Sequence, residues 1–477
     1  MDSLPNIKTS FPEWYQEVIM QAGLVDTSPT RGCFIIKPYG FAIWENIQRI
    51  VDAQIKQEGV ENVYFPMLIP EEFLRREEKH IEGFSPEVAV VTHAGGKKLE
   101  EPYVIRPTSE TIIYEAFARW IKSWRDLPLK INQWTNVIRW EMRTRAFLRT
   151  TEFLWQEGHT AHATHEEAKA LALAMLEHYR QLAEDYLAIP VVIGEKTPHE
   201  RFPGADTTYT FEALMQDGKA LQMGTSHILA QSFPAAFGVK FQAQDGTLQS
   251  PFCTSWAITT RLIGALVMTH GDQNGLIMPP KIAPTQVAIV PISKTPEEKI
   301  AVVEAVMAVA KELRAAGIRV VIDTDDTKTP GAKFYHWESR GVPVRLELGP
   351  KDLVAQQAVL VNRMEEDKTK KKTFIKLAAV VEETTTLLST IQKALFDRAA
   401  ARRASQWKQA DKLSEFAAQL DADNGMYQVG WCGGEACELA LKEVKGTVRC
   451  LVNENKHKTC FNCTSQSDRD ILVAKCY

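Results

Sequence analysis

Val137-Ile138-Arg139-Trp140-Glu141, the segment Met142 to Arg149, and the return Thr150-Thr151-Glu152-Phe153-Leu154-Trp155-Gln156-Glu157-Gly158-His159 form the stretch on which the fold turns. Polar and apolar residues alternate in both arms, the two-residue period of strands whose successive side chains point to opposite faces. The expected structure is a hairpin with Arg139 and Glu141 alternating on one strand face, joined to the returning strand by a polar loop that carries Arg143, Arg145 and Arg149. An arginine-rich hairpin suits a polyphosphate: guanidinium groups offer planar, bidentate donors to phosphate oxygens, and neighbouring carboxylates can hold adenine or magnesium. Taken alone, Arg139 and Glu141 fit a salt-bridged surface hairpin equally well, since alternating charges are common on strands.

A second segment, Thr254-Ser255-Trp256-Ala257-Ile258-Thr259-Thr260-Arg261-Leu262-Ile263-Gly264-Ala265, sets small residues before an arginine that opens an apolar helix. A guanidinium is costly to bury there without a partner. A third, Tyr64-Phe65-Pro66, follows the helical run Ala42 to Glu58. Together the three resemble the signature motifs of class II aminoacyl-tRNA synthetases: Pro66 ends the first, Arg139-x-Glu141 is the second and Arg261 the third. Ala257 departs from that pattern, in which glycine is usual; its methyl group narrows the approach to the nucleotide without removing a catalytic group. Within the class, Arg106-Pro107-Thr108-Ser109-Glu110, Phe153 to His159 and Gln222-Met223-Gly224-Thr225-Ser226-His227 resemble the prolyl-tRNA synthetases, and the resemblance spans essentially the whole chain. The form it resembles is the archaeal and eukaryote-like one with a zinc-binding C-terminal domain. The interval between Glu141 and Arg261 is too short to house a separate large hydrolytic domain.

The resemblance implies ATP-dependent attachment of L-proline to tRNA(Pro) in two steps via prolyl-adenylate, releasing AMP and diphosphate. It implies catalytic roles for Arg139 and Arg261, with Arg139 bridging the substrate carboxylate and the α-phosphate. Arg261 and Arg149 then hold the terminal phosphates, Glu141 and Thr150 contact adenine, and Gln222 and Thr225 complete the site around a magnesium-bound, bent ATP. Thr108 and Glu110 accept the two N–H bonds of the prolinium ring, Trp155, His159 and Phe202 wall it, and Glu157 and His227 lie nearby. No general base is required, because the attacking carboxylate is already ionised at neutral pH and positioning dominates. Outside this constellation His159 and His227 read as hydrogen-bonded core histidines. A pocket for a small ring rejects alanine or cysteine weakly, at about 1–3 kcal/mol per missing methylene, so some misactivation is expected.

At 477 residues the chain exceeds what one hydrophobic core usually serves, and roughly three folding units are expected. No apolar run approaches the roughly 20 residues of a membrane helix, and the start Met1-Asp2-Ser3-Leu4-Pro5-Asn6 lacks basic and apolar signal segments. The expectation is a soluble, cytoplasmic protein with no membrane partner. Net charge is −4, so any RNA contact has to use local basic patches rather than a global field.

Breakers divide the chain. The stretch Met278-Pro279-Pro280-Lys281-Ile282-Ala283-Pro284 continues neither helix nor central strand and reads as a linker. Beyond it, Gln286 to Ile292 reads as a strand, Thr295-Pro296-Glu297-Glu298 starts a helix, and Gly317 ends it before the β-branched run Ile318 to Ile322, a β-α-β unit. The expected layout is an α+β class II catalytic domain with an antiparallel sheet over residues 1–275, a linker at 276–285, an α/β anticodon-binding domain at 286–398, and a small α/β zinc-binding domain at 399–477. In the middle domain, the resemblance makes Glu338, Arg345, Glu347 and Lys351 the anticodon candidates; as isolated features they are ordinary strand-edge charges. The lysines Lys368, Lys370, Lys371 and Lys372 read as a solvated hairpin or loop rather than an RNA contact.

Six cysteines crowd into the last part of the chain. Cys432-x4-Cys437 and Cys460-x2-Cys463 have the spacing of two chelating turns, and four thiolates match a tetrahedral, structural zinc. Cys450 and Cys476 are spares, with Cys450 able to replace a ligand. The ending Ile471 to Tyr477 resembles the family's, whose tyrosine packs back near the catalytic domain; a frayed end is the alternative. A homodimer, its first motif at the interface, is implied by resemblance alone. Threonyl-, histidyl- and glycyl-tRNA synthetases share Arg139, Glu141 and Arg261. A silent RNA-binding paralogue is expected to have lost a catalytic arginine, whereas Arg139, Arg149 and Arg261 all stand here beside the Thr108-x-Glu110 pair.

Overall fold

In the computed structural model, which describes residues 4–75 and 88–477, the alternating stretch becomes an antiparallel pair of strands. Leu129–Ile138 and Glu152–His162 run side by side from Leu129 opposite Ala161 to Ile138 opposite Glu152. They belong to a seven-stranded sheet. In chain order its strands are β1 (Glu61–Asn62), β2 (Leu129–Ile138), β3 (Glu152–His162), β4 (Val191–Glu195), β5 (Ala205–Leu214), β6 (Ala220–Leu229) and β7 (Phe252–Thr259). In space the order is β1-β2-β3-β7-β6-β5-β4, and every neighbouring pair is antiparallel except β1 with β2.

The hairpin differs from the sequence reading in two respects. The ladder stops at Ile138, so Arg139 and Glu141 lie just beyond the strand rather than on its face, with the Arg139 amide still tied to the Thr151 carbonyl at 2.9 Å. Nor is the loop wholly polar. Ala146, Phe147 and Leu148 are buried, and Tyr15 donates its hydroxyl proton to the Ala146 carbonyl at 2.7 Å. This apolar anchor seats the loop on the core and leaves its arginines to the cavity side.

One side of the sheet is covered by helices. Helix α1 (Pro38–Gln57) follows the N-terminal segment, and α2 (His165–Gln181) starts at a capping box that the spacing Thr164-x-x-Glu167 spells out. A single π-helical turn, Leu182–Tyr186, continues α2. Tyr179 of α2 donates to Gln156 Oε1 of β3 at 2.6 Å, which marks the even-numbered residues of β3 as the helix-facing set. A Cβ at Gly158 would stand 2.1 Å from the Trp256 ring, so the buried indole lies across β3 only because this position is glycine. Helix α3 (Arg261–His270) begins at the arginine of the third motif, and nearly all of it is buried. The chief core joins Trp14, Trp44, Tyr179, Trp256 and α3.

The linker residues Leu276 to Ala283 are largely buried, and Arg319 clamps them by donating to the carbonyls of Ala283 at 2.7 Å and Pro280 at 2.8 Å. The second unit has the β-α-β start expected: β8 (Val287–Pro291), α4 (Pro296–Ala315) and β9 (Val320–Ile322). With β10 (Val344–Leu348), β11 (Gln357–Asn362) and β12 (Lys372–Lys376) it forms a mixed sheet ordered β9-β8-β10-β11-β12 around its own core. Helix α5 (Val380–Ser405) leads into a third unit, whose strands β13 (Trp407–Gln409), β14 (Met426–Trp431), β15 (Thr447–Leu451) and β16 (Arg469–Ala474) are ordered β13-β14-β16-β15. The α+β core, α/β middle unit and small α/β tail unit are all present. Among the described residues, no helix is long and apolar enough to cross a membrane.

Candidate functional site

The two-residue period of the strands brings one set of side chains to the face opposite the helices. Trp155, Glu157 and His159 of β3 sit opposite Thr259, Ala257 and Ser255 of β7. Ala257 and Ser255 in turn sit opposite Thr225 and His227 of β6, and His227 sits opposite Thr208 of β5. Above this face lies a cavity of about 860 Å³. Its walls contain Thr108, Glu110, Arg139, Trp155, Glu157, His159, Phe202 and His227 together with Glu141, Arg149, Thr150, Gln222, Thr225 and Arg261. Every residue assigned from the sequence to proline or ATP is therefore in one site, while the candidates of the middle and C-terminal units lie elsewhere. Ala257 lines the same wall.

One end sets carboxylates and hydroxyls beside aromatic walls. Thr108 donates its hydroxyl proton to Glu110, the first residue of the helix Glu110–Trp120. Arg106 holds this turn in place: it is fully buried and donates to the carbonyls of Phe65 and Asn136, each at 2.8 Å, tying the first motif to β2. Glu157 Oε1 accepts from Ser109 at 2.5 Å and Gln133 at 2.6 Å, and its Oε2 lies 3.2 Å from His159 Nε2. The Phe202 ring lies 4.8 Å from that of His227. His227 meets the hydroxyls of Thr208 and Thr225, both at 2.9 Å, and burial, reinforced by His159, pulls its pKa down to about 3. It is a neutral wall at physiological pH. Among the described residues, Trp155 Nε1 and His159 Nδ1 are buried without a hydrogen-bond partner.

The other end is cationic. Arg139 donates from Nε to the Pro107 carbonyl at 3.0 Å and lies over the Phe153 and Trp155 rings at 5.6 and 5.7 Å. Arg261 donates to the carbonyls of Leu148 at 3.1 Å and Gln222 at 3.2 Å. Burial, then the charges of Arg139 and Arg149, pulls the Arg261 pKa down to about 10, as expected for a cluster awaiting an anion. Glu141 pairs with Arg149. Burial works to raise the Glu141 pKa, but the Arg143 amide and Arg149 outweigh it and hold the carboxyl below its ordinary value.

The C-terminal tail reaches this wall. Tyr477 lines the cavity and donates its hydroxyl proton to Asp217 at 2.7 Å, under Lys219 at 5.0 Å from the ring. Tyr477 thus packs against the catalytic domain, as the resemblance implied, whereas several other lining residues had no assigned role in the sequence reading: Lys196, Thr208, Ser255 and the loop around Phe202. Ser255 and Thr208 were reachable from strand alternation once the registers were known. Lys196 was not, because its partner Glu212 is on another strand and carries no local pattern.

Glu338, Arg345 and Glu347 come together in the middle unit. Arg345 pairs with Glu347 at 2.9 Å and Glu338 at 3.8 Å, and covers the Phe334 ring at 4.1 Å. Lys351 lies apart on the helix Pro350–Val354 and makes no ion pair with the others among the described residues. The lysine run is not simply solvated: Lys371 pairs with Glu338, and Lys372 pairs with Glu347 at 2.8 Å, because β12 brings them beside this cluster. In the third unit Cys432, Cys437, Cys460 and Cys463 have all four sulfurs within 4.8 Å of one another. Cys450 is not part of this group; it is buried against Gly194 of β4, which removes it as a substitute ligand.

Comparison with known proteins gives a consistent match. The model of the tRNA synthetase class II core domain (G, H, P, S and T) matches residues 92–270, that of the anticodon binding domain 286–385, and that of the prolyl-tRNA synthetase C-terminal domain 413–477. The chain is 48% identical to a proline--tRNA ligase of Acetoanaerobium sticklandii over 99% of its own length and 98% of that protein. It is 50% identical to one from Chloroherpeton thalassium over 92% and 90%. The crystal structure of prolyl-tRNA synthetase from Cryptosporidium parvum, complexed with halofuginone and AMPPNP, superposes with a TM-score of 0.93 at 39% identity and 99% coverage of both chains.

Proposed function

The chain belongs to the prolyl-tRNA synthetases, attaching proline to tRNA in an ATP-dependent reaction, and we propose that the cavity on the seven-stranded sheet carries out the chemistry with the following division of labour. The proline carboxylate attacks the α-phosphorus of ATP and diphosphate departs; the prolyl-adenylate then passes its acyl group to the terminal ribose hydroxyl of tRNA(Pro), releasing AMP. The observation that carries this reading is the union of a carboxylate-and-hydroxyl end with an arginine end in one cavity.

Thr108 and Glu110 accept the two N–H bonds of the ring nitrogen, and Trp155, His159, Phe202 and the neutral His227 enclose its methylenes. Glu157, held by Ser109 and Gln133, fixes His159. Arg139 stands between the two ends and spans the substrate carboxylate and the α-phosphate, where negative charge is redistributed in the transition state. Arg261 and Arg149 hold the terminal phosphates, Glu141 and Thr150 the adenine, and Gln222 and Thr225 the remainder of the nucleotide. Magnesium bound with ATP would neutralise phosphate charge, and the Gln222 amide oxygen is a hard donor lining that end.

The four cysteines fit zinc. Tetrahedral Zn–S bonds of about 2.3 Å put neighbouring sulfurs about 3.8 Å apart. Here Cys432 lies 3.8 Å from Cys437 and 3.6 Å from Cys463. Four thiolates leave no open position, so the ion is structural. Glu338, Arg345 and Glu347, with Lys351, are the proposed anticodon readers, charged groups able to discriminate guanine edges. Homodimerisation through the first motif is supported by exposed apolar residues in it and immediately after it: Tyr64 is 70% exposed, and Met67 and Leu68, just past Pro66, are 37% and 41% exposed. The proposed compartment is the cytoplasm, whose reducing pool keeps a thiolate site competent for metal.

The test is pyrophosphate exchange with ATP and magnesium, without tRNA, comparing proline with alanine, cysteine, threonine, histidine and glycine. Strong exchange with proline, accompanied at most by weak alanine and cysteine signals, is expected. Exchange led by another amino acid refutes the pocket assignment.

A further inference from the structure

The C-terminal unit meets the catalytic sheet through a buried charge cluster with no part in the chemistry described above. Glu212 of β5 is fully buried. Its Oε1 accepts from Lys196 at 3.1 Å and Thr210 at 2.9 Å, and its Oε2 accepts from Arg449 Nε at 3.0 Å and Nη2 at 2.7 Å. Arg449 belongs to β15 of the C-terminal unit, and Thr447 further fixes it by accepting from Nη1 at 3.0 Å. Burial works to raise the Glu212 pKa, but Arg449 and then Lys196 outweigh it and hold the carboxyl below its ordinary value. The two units touch as closely as side chains permit: a Cβ at Gly194 of β4 would stand 2.6 Å from Cys450, the residue after Arg449. Beside them, Thr197 donates to Glu438 of the C-terminal unit at 2.6 Å.

This cluster lies one strand away from the cationic end of the cavity. Glu212 is paired with Gln222 across β5 and β6, next to a register shift between Phe211 and Glu212. Such irregularities re-aim side chains beside active sites. The Gln222 carbonyl is the one that receives Arg261 Nη1, and Gln222 itself lines the cavity. Arg139, Arg149 and Arg449 all act against the charge on Arg261, and Glu212 acts for it. Glu212 is thus a buried carboxylate one strand from Arg261, linked to it through Gln222, the residue opposite Glu212 whose carbonyl Arg261 donates to. Its orientation depends on the bidentate fork from the C-terminal unit.

We propose that Glu212 is a positioning residue for Arg261, and that Arg449 completes it from the C-terminal unit, so that docking of the cysteine-bearing unit builds the nucleotide end of the catalytic cavity. The proposal rests on the reading of Arg261 as a phosphate-binding residue. Replacing Arg449 by methionine keeps side-chain length and removes the fork, leaving Glu212 to Lys196 and Thr210, both on its other oxygen.

The experiment is proline-dependent pyrophosphate exchange by the full-length Arg449→Met, Arg449→Lys and Arg261→Ala variants, with thermal melting of each. Arg449→Met is expected to raise KM for ATP about tenfold, with KM for proline within about twofold and partial recovery in Arg449→Lys. A role confined to stability predicts a lower melting temperature with both KM values unmoved, and that result in a folded Arg449→Met overturns the proposal. Should Arg449→Met not fold, Arg449→Lys decides in the same way: a selective rise in KM for ATP supports the linkage, and an unchanged KM refutes it. Arg261→Ala separates the two claims. If it leaves ATP kinetics untouched, the phosphate reading of Arg261 fails and takes the proposal with it; if it is severely impaired while both Arg449 variants are normal, the linkage alone is wrong.

Discussion

Replacing Glu110 by glutamine tests the amino-acid end of the cavity at its most specific point. Glu110 is 7% exposed, one of its oxygens receives the Thr108 hydroxyl, and it opens the helix Glu110–Trp120, whose N-terminal dipole favours a negative charge there. Glutamine keeps the shape and an acceptor for Thr108 but converts the bond to the ring nitrogen from charge-assisted to neutral. Hydrogen bonds involving a charged group are worth about 1.5–3 kcal/mol against about 0.5–1.5 for neutral ones, so the loss is about 1–2 kcal/mol, or about 5- to 30-fold in affinity. In pyrophosphate exchange at saturating ATP, KM for proline is expected to rise by that factor while KM for ATP and the melting temperature stay put. A rise of less than about threefold, or an equal change for ATP, would refute the assignment of Glu110 to the prolinium nitrogen.

The other parts of the molecule give independent tests. Arg345→Ala is expected to raise KM for tRNA in aminoacylation while sparing proline activation; equal losses in both assays would argue for a purely structural arginine. Because Arg345 is buried on Glu347, while Glu347 and Glu338 keep Lys372 and Lys371 as partners, the same change should destabilise the middle unit by only about 1–3 kcal/mol, measurable by denaturant unfolding. Metal analysis should return one zinc per chain, and chelation should expose residues 413–477 to protease; a chain lacking zinc with unchanged proteolysis would contradict the structural site.

His270 supplies a pH test. It donates to the Leu187 carbonyl at 2.7 Å, yet burial, helped by Arg398 and Arg402, outweighs that bond and holds its pKa to about 3. Between that value and the unfolded value of about 6.5 the unfolded chain binds the extra proton, so stability falls as pH falls through this window, by about 1.4 kcal/mol per pH unit. His270→Gln retains a donor for Leu187 and should lose about 2 kcal/mol less than the parent between pH 7 and pH 5 in denaturant unfolding. Parallel pH dependence in the two proteins would show that His270 takes up its proton as readily in the fold as in the unfolded chain, and would refute the shift.

Much of the catalytic site was legible because its signals are local. Alternation in Glu152 to His159 placed Trp155, Glu157 and His159 on one face, and the capping residues of α2 and α4 were visible as Thr164-x-x-Glu167 and Thr295-x-x-Glu298. The hairpin loop misled for a comparable reason. Its arginines advertise a polar segment, but Ala146, Phe147 and Leu148 are buried by contacts with Tyr15 and with α3, residues more than a hundred positions away. Lys351 shared a strand neighbourhood with Arg345 in sequence, yet Gly349 and the helix at Pro350–Val354 carry it off the sheet.

The sequence by itself determined the chemistry offered: which cations and carboxylates exist, their spacing along strands and helix starts, and the four thiols set in two chelating pairs. Those properties depend on a few neighbouring residues, and backbone periodicity expresses them wherever the segment lies. Tertiary structure alone decided which charges neutralise one another. Glu212 meets Arg449, and Lys371 and Lys372 meet Glu338 and Glu347, across distances in sequence that no local pattern spans. An ion pair is set by separation in space and by the water excluded around it, and both come into being only when the strands have found their register and the three units have packed together.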